Sequence, residues 1–369
     1  MAHTHVQSST STRALIRIAS LATAPLALAL MPGTALAQTT QELAATVAPA
    51  AESGAFMGAA LVVKGDEVLL DQAWGDANLE WNIPHTTDTI FRIGSVTKQF
   101  TAVSILLLQE QGKLDLDDPI AKHFPGAPDA WQAITLRNLM RHTSGVPDVT
   151  RLEGFGRIST TAISQDDLIA MFKDLPLEFE PGSKWSYSNS GYIVLARVIE
   201  NVSGMPYAQF VKASLFDPIG MQSTGVDVNA RILPKRAAGY TPSQNGPVNA
   251  PYINMSIPLG GGSLLSTTHD LHKWQRALFG GSVLSASSLA EFVDPYPQQA
   301  VGEDRYAHGI IVEDDADGRS YWHGGGIEGF NAWLGYDPDK AITVVVLANI
   351  NGGAPSRLGR QLLVQARGE

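Results

Sequence analysis

The sequence predicts an α/β fold of the α+β kind: one antiparallel sheet built from both chain termini, flanked by helices and interrupted by an inserted, mainly helical region. Three observations predict it. Strand-like runs cluster at about 59–71 and again from about 306 to 347. The intervening stretch, 95–258, is rich in helical spacing and poor in strand signals. The last apolar run, Ile342 to Leu347, is continuous and β-branched, which suits a central strand covered on both faces.

Residues 1–37 read as a secretory leader. Arg13 and Arg17 supply its positive region and Ile18 to about Met31 its apolar core. Pro32 and Gly33 break that core, and Ala35-Leu36-Ala37 gives the small-x-small cleavage signature. The implied compartment is a bacterial periplasm or the medium. No stable membrane anchor is expected after leader cleavage, because no later stretch is long enough to span a bilayer. The mature unit, 38–369, divides into a sheet-containing part (38–94 and 259–369) and the helical region (95–258).

A short helix of small residues is expected from 38 to about 54. Ala59 to Val63 and Glu67 to Asp71 then form a hairpin about Lys64-Gly65-Asp66. Gln99 to Leu108 is an apolar run of good helix formers that ends at Gly112. Further helices are expected at Ile134–Met140, at Gln165–Leu175 with Ser164 as cap, at Tyr192–Asn201 and at Pro206–Leu215. Gly260 to Thr267 is a glycine-rich approach to a helix at about Asp270–Leu278. Strands follow at Tyr306–Val312, Asn331–Tyr336 and Ile342–Leu347, and an amphipathic helix near Ser356–Gln365 closes the chain.

Composition narrows the function. Hydrophobic residues make up 44% and charged residues 17%, which supplies ample material for a globular core. A formal net charge of -10 argues against nucleic acid or an anionic membrane as partner. The chain has no cysteine, so disulfides, thiolate nucleophiles and cysteine metal sites are excluded.

The chemistry concentrates in three places. Ser95 falls at or just before the first turn of the Gln99–Leu108 helix, and Lys98 lies one turn on, on the same face. A serine hydroxyl is a weak nucleophile until a base takes its proton, and a neutral lysine in an apolar site can be that base. The helix N-terminus adds free N–H groups where negative charge would develop. Gly94 removes a side chain beside the nucleophile. Lys98 is the only one of ten lysines with a serine three residues before it, about what chance provides, so the pair needs partners.

Tyr187-Ser188-Asn189 sits in a tight loop between the Glu180-Pro181-Gly182-Ser183 turn and a helix. A phenol there can shuttle protons, and a nearby cation would favour its phenolate. A second Tyr-x-Asn, Tyr252-Ile253-Asn254, is less well placed. In Trp322-His323-Gly324-Gly325-Gly326-Ile327-Glu328-Gly329-Phe330, three successive glycines beside a strand suit a backbone closely approached by a ligand. An exposed N–H on that edge can join the Ser95 N–H as an oxyanion hole. The competing reading is a hairpin loop with a solvated histidine.

Together these segments resemble the serine β-lactamase and penicillin-binding-protein superfamily, whose motifs are Ser-x-x-Lys, Tyr-x-Asn and Lys-Thr-Gly or His-x-Gly. Order and spacing are most similar to the class C β-lactamases, the related DD-peptidases and the family VIII carboxylesterases. The resemblance extends over Phe91–Thr101, Asp115–Ile120, Leu139–Pro147, Glu180–Gly191, Gly260–Asp270 and His323–Tyr336. It implies a β-lactamase/transpeptidase-like fold and a serine hydrolase without a cofactor. By resemblance Ser95 is the acylated nucleophile, Lys98 its base and Tyr187 the proton shuttle. Asn189 contacts substrate or lysine, and His323, Gly324 and Gly325 face the substrate. The backbone N–H groups of Ser95 and Gly326 form the oxyanion hole.

The third motif departs from the class C pattern, which has lysine and threonine where this chain has His323 and Gly324. A histidine is mostly neutral at pH 7, and Gly324 has no hydroxyl to hold a carboxylate. The expected substrate is therefore a short-chain ester or small amide first, a D-amino-acid peptide next and a β-lactam third. The alternatives are a β-lactamase, or a penicillin-binding sensor that acylates without efficient turnover. No Gly-x-Ser-x-Gly elbow occurs, against an α/β-hydrolase triad. His269 and His272 have the spacing of a zinc pair but no clear third ligand, so no metal is expected.

Overall fold

A computed structural model describes residues 1–5, 7, 8, 32–302 and 304–368. The apolar core of the leader lies outside these residues. The first helix, α1 (Pro32–Glu52), begins at Pro32 and not near 38. A proline fits a first helical turn, where its missing N–H has no partner to lose.

Eight antiparallel strands form the main sheet. They are β1 (Gly58–Lys64), β2 (Glu67–Trp74), β3 (Gln299–Val301), β4 (Asp304–Tyr306), β5 (Ile311–Asp315), β6 (Gly318–Ile327), β7 (Phe330–Asp337) and β8 (Ile342–Ala348). Their spatial order is β3-β4-β5-β6-β7-β8-β1-β2, so the two ends of the chain meet where β8 pairs with β1. The β1–β2 hairpin turns at Gly65-Asp66, with Gly65 at φ +59°. That is the left-handed backbone that glycine adopts without strain.

All seven residues of β8 are buried, as its unbroken apolar run requires. Side chains alternate between two cores. Ala59, Leu61, Val63, Val345 and Leu347 face the helical region. Ala60, Val62, Val344 and Val346 face α1 and the C-terminal helix α6 (Ala354–Gly368). The latter comes close enough that a Cβ on Gly359 would lie 2.3 Å from the Trp333 ring.

Two strand expectations change. Tyr306–Val312 is not one strand. β4 ends at Tyr306 and β5 starts at Ile311, and between them Gly309 takes φ +77° close against the Lys98 backbone carbonyl. The glycine run Gly324–Gly326, expected beside a strand, lies inside β6, and the competing hairpin loop is not formed there. β5 keeps register with β6 only as far as Ile311↔Trp322. Past Trp322, a 3-10 turn, Gly94–Val96, packs on β6 instead.

That turn opens α2 (Thr97–Glu110), which is buried along almost its whole length. Phe100 anchors it on Trp274 of α5 (Thr268–Phe279), with ring centroids 4.2 Å apart. α3 (Leu136–Met140) starts in a capping box from Thr135 and Asn138. α4 (Asn189–Ser203) begins three residues earlier than the sequence pattern suggests, which makes Asn189 its first residue. The Ser164-capped helix stops at Ala170, short of Leu175. Among the described residues no helix is long and apolar enough to cross a membrane.

Candidate active site

Ser95 sits in the middle of the 3-10 turn, between β6 and α2. The approach to β6 demands glycine on both sides. Gly94 has φ +50°, and a Cβ there would lie 2.8 Å from the Gly326 nitrogen. A Cβ on Gly325 would lie 2.0 Å from the Ile93 carbonyl oxygen and 3.3 Å from the Ser95 nitrogen. The backbones that carry the Ser95 and Gly326 N–H groups are thus pressed together.

Lys98, in the first turn of α2, is 0% exposed. Its Nζ lies 3.2 Å from Ser95 Oγ, 2.9 Å from Asn189 Oδ1 and 2.8 Å from the Gly261 carbonyl oxygen. Two of these neighbours can only accept, and they take two N–H bonds. The third is a hydroxyl, which can donate to the nitrogen lone pair. A neutral amine satisfies all three. Burial pushes the Lys98 amine down to about 7, with the charge of Asp148 working in the opposite direction.

Asn189 is oriented by its other end. Its Nδ2 donates to Asp148 Oδ2 at 3.2 Å, which turns the amide oxygen toward Lys98. Asp148 is 4% exposed and also accepts from the Thr150 backbone N–H at 3.1 Å. Asp148 is not among the residues the sequence points to, although it directly follows the Leu139–Pro147 segment that carries part of the resemblance.

Tyr187 is clamped from both sides by His142. The Ser186 N–H donates to the His142 carbonyl oxygen at 2.9 Å, and the Ser188 N–H donates to His142 Nδ1 at 3.2 Å. The His142 ring lies 4.3 Å from the Tyr187 ring. His142 holds φ +58°, an uncommon backbone for a residue with a side chain, and the loop is built around it. Lys98 Nζ sits 4.7 Å from the centroid of the Tyr187 ring. Burial pushes the Tyr187 phenol up, and a hydrogen bond with Ser95 offsets only part of that. The phenolate expected from a neighbouring cation is therefore disfavoured: desolvation dominates, and a neutral Lys98 offers no cation.

His323, read from the sequence as facing substrate, is 3% exposed and turned into the protein. Its Nε2 lies 2.9 Å from the Tyr306 hydroxyl and its Nδ1 2.6 Å from the Gly324 carbonyl oxygen. Burial, helped by the ammonium that Lys98 carries at acid pH, pushes it down to about 3, so the imidazole is neutral at pH 7. Gly324 faces Ser356 at the start of α6. Neither residue, nor Gly325, borders the cleft beside Ser95. The strand presents backbone there and no cation.

The cleft has a volume of about 430 Å³. Ser95, Asn189, Gly261 and Gly326 form its polar floor, and Val149, Phe155, Ile193, Ile257 and Pro258 are among its apolar walls. Ile253, from the second Tyr-x-Asn, also lines it, whereas Tyr252 is largely exposed. His269 pairs with Asp71 at 2.8 Å. Among the described residues no group of three or more His, Asp or Glu converges as a metal site would.

A family model described as Beta-lactamase matches residues 43–368. A penicillin-binding protein of Bacillus subtilis (strain 168) is 32% identical over 314 residues, covering 81% of this chain and 69% of the relative. The octameric penicillin-binding protein homologue from Pyrococcus abyssi superposes with a TM-score of 0.79 at 28% identity, covering 89% of this chain and 77% of that one. A D-stereospecific amidohydrolase from Streptomyces sp. gives a TM-score of 0.74 at 27% identity, covering 88% and 97%.

Proposed function

The chain belongs to the beta-lactamase family, a serine hydrolase of the β-lactamase and penicillin-binding-protein kind, and from that premise we propose that it hydrolyses small amides or esters, D-amino-acid amides foremost, through an acyl-enzyme on Ser95. The observation that carries this reading is the fully buried Lys98 amine 3.2 Å from the Ser95 hydroxyl. In the proposed reaction Ser95 Oγ attacks the substrate carbonyl carbon while its proton passes to neutral Lys98. The backbone N–H groups of Ser95 and Gly326 receive the oxyanion. Tyr187, held protonated by burial, gives its proton to the departing amine or alcohol and is reprotonated from Lys98. Water then cleaves the acyl-enzyme.

The apolar walls favour a substrate with a hydrophobic side chain. The neutral, inward-facing His323 supports placing β-lactams last, since their carboxylate would meet no cation on β6. The D-stereospecific amidohydrolase among the structural relatives supports amides of D-amino acids. Export to the periplasm or medium is part of the same proposal and rests on the leader-like residues 1–37. The N-terminal sequence of secreted protein tests it, with a mature start just after Ala37 expected.

A panel of D-phenylalanine amide, short p-nitrophenyl esters, a D-Ala-D-Ala peptide and nitrocefin tests the substrate reading. The amide and esters should turn over, with one acyl adduct in the intact-protein mass of the parent and none in Ser95→Ala. Nitrocefin turnover far faster than every amide and ester would overturn it.

A further inference from the structure

The turn that follows β6 places one carboxylate on the wall of the Ser95 cleft. Glu328 lines that cleft together with Gly326, and it also lines an adjoining cavity of about 290 Å³. It follows Gly326 by two residues, roughly 7 Å of extended backbone at most. Because it lines the same cleft as Ser95 and Gly326, its side chain can reach a substrate whose carbonyl lies between them.

The position is built, but the carboxylate is not engaged. Asn351 grips the turn on both sides of Glu328, donating from Nδ2 to the Ile327 carbonyl oxygen at 3.0 Å and accepting from the Gly329 N–H at 2.8 Å. Gly329 takes φ +80°, and a Cβ on it would lie 2.6 Å from Gly239 Cα, so the turn is also wedged from behind. Glu328 itself is half-buried, and no hydrogen bond or ion pair from the described residues meets its carboxylate. The two guanidiniums of the adjoining cavity, Arg92 and Arg236, are both engaged by Asp227, at 2.8 and 2.9 Å. Among the described residues lining the Ser95 cleft there is no basic side chain.

A half-buried carboxylate on a held turn, with no hydrogen-bond or ion-pair partner among the described residues, is open to a charge-assisted bond from a ligand cation. We propose that Glu328 docks a protonated amine of the substrate, so that the cleft selects amino-acid amides and esters with a free ammonium group over substrates that present a carboxylate. This rests on the serine-hydrolase reading above. The apolar wall takes the side chain, the Ser95 turn the carbonyl, and Glu328 the ammonium. Three separate contacts around one carbon also discriminate between its two configurations.

The test compares D-phenylalanine p-nitroanilide and p-nitrophenyl ester with their N-acetylated forms, in the parent and in Glu328→Gln. The parent should prefer the free amine. In Glu328→Gln the ratio of kcat/KM for free over acetylated substrate should fall by on the order of 10-fold or more, the scale of a hydrogen bond to a charged group. A parent that prefers the acetylated substrate, or a ratio that stays within about twofold in Glu328→Gln, overturns the proposal. Titration calorimetry of D-phenylalanine amide and its N-acetyl derivative into Ser95→Ala gives the same comparison without turnover. Absence of hydrolysis and of a Ser95 adduct would remove the hydrolase reading. Equal calorimetric affinity for the two ligands would remove the Glu328 proposal.

Discussion

No ion pair joins Lys98 to Asp148: the Asn189 carboxamide stands between them, its Oδ1 2.9 Å from Lys98 Nζ and its Nδ2 3.2 Å from Asp148 Oδ2. The carboxylate therefore orients the amide and lends Lys98 a weak opposing charge, while burial sets the outcome at about 7. Acylation needs the neutral amine, so its rate should rise with pH through about 7 and level off above. Stability carries the same signature. The folded amine titrates near 7 and the unfolded one near 10.5, so between these values only the unfolded chain holds the proton. This group's contribution then rises with pH across that window, and its penalty is complete below it. Stopped-flow acylation against pH checks the first statement. A rate that is flat from pH 5 to 9 would contradict it.

Asp148→Asn removes the one charge that raises Lys98. The acid limb of the acylation profile should therefore move to lower pH, below the limb of the parent. A limb that moves up, or stays in place while the fold is intact by circular dichroism, would show that Asp148 does not act on Lys98.

Tyr187→Phe keeps the ring against His142 and removes only the hydroxyl. An amide needs a proton on its leaving nitrogen, whereas p-nitrophenolate leaves without one. The amide rate should fall by on the order of 10² or more and the p-nitrophenyl ester rate by much less. Equal losses on both would place Tyr187 outside leaving-group protonation.

Gly325→Ala and Gly324→Ala form a matched pair on β6. A Cβ at 325 would lie 2.0 Å from the Ile93 carbonyl oxygen, a backbone atom that can move only by displacing the Ser95 turn. A Cβ at 324 meets Ser356 Oγ at an ordinary 3.6 Å. The first substitution should cost about 1–3 kcal/mol or more and most of the acylation rate. The second should stay within about 0.5 kcal/mol. Chemical denaturation of the two variants checks this, and similar midpoints would refute the close approach of the two backbones.

Much of this was legible before the fold. Ser95 and Lys98 lie within one helical turn of each other, so a local pattern was enough to pair them. β8 announced itself as central because a β-branched run leaves no face for water. His323 was not legible, because which way a strand residue points depends on the neighbouring strand. Tyr306 reaches it only after Gly309 breaks the run from Tyr306 to Val312 into two strands. Asp148 was not legible either. A lone aspartate after a Gly-Val-Pro stretch reads as a turn residue until α4 brings the Asn189 amide against it. That a cation near Tyr187 would favour its phenolate can be argued from sequence, whereas the desolvation that outweighs it depends on the packing of the folded loop.

The central claim is that neutral Lys98 takes the Ser95 proton, and single-turnover acylation of Lys98→Arg at neutral pH tests it most directly. Guanidinium keeps the charge and cannot serve as a neutral base. With the fold verified by circular dichroism, the account predicts an acylation rate lower than that of the parent by on the order of 10² or more. A rate within a fewfold of the parent would contradict it and leave Tyr187 as the base.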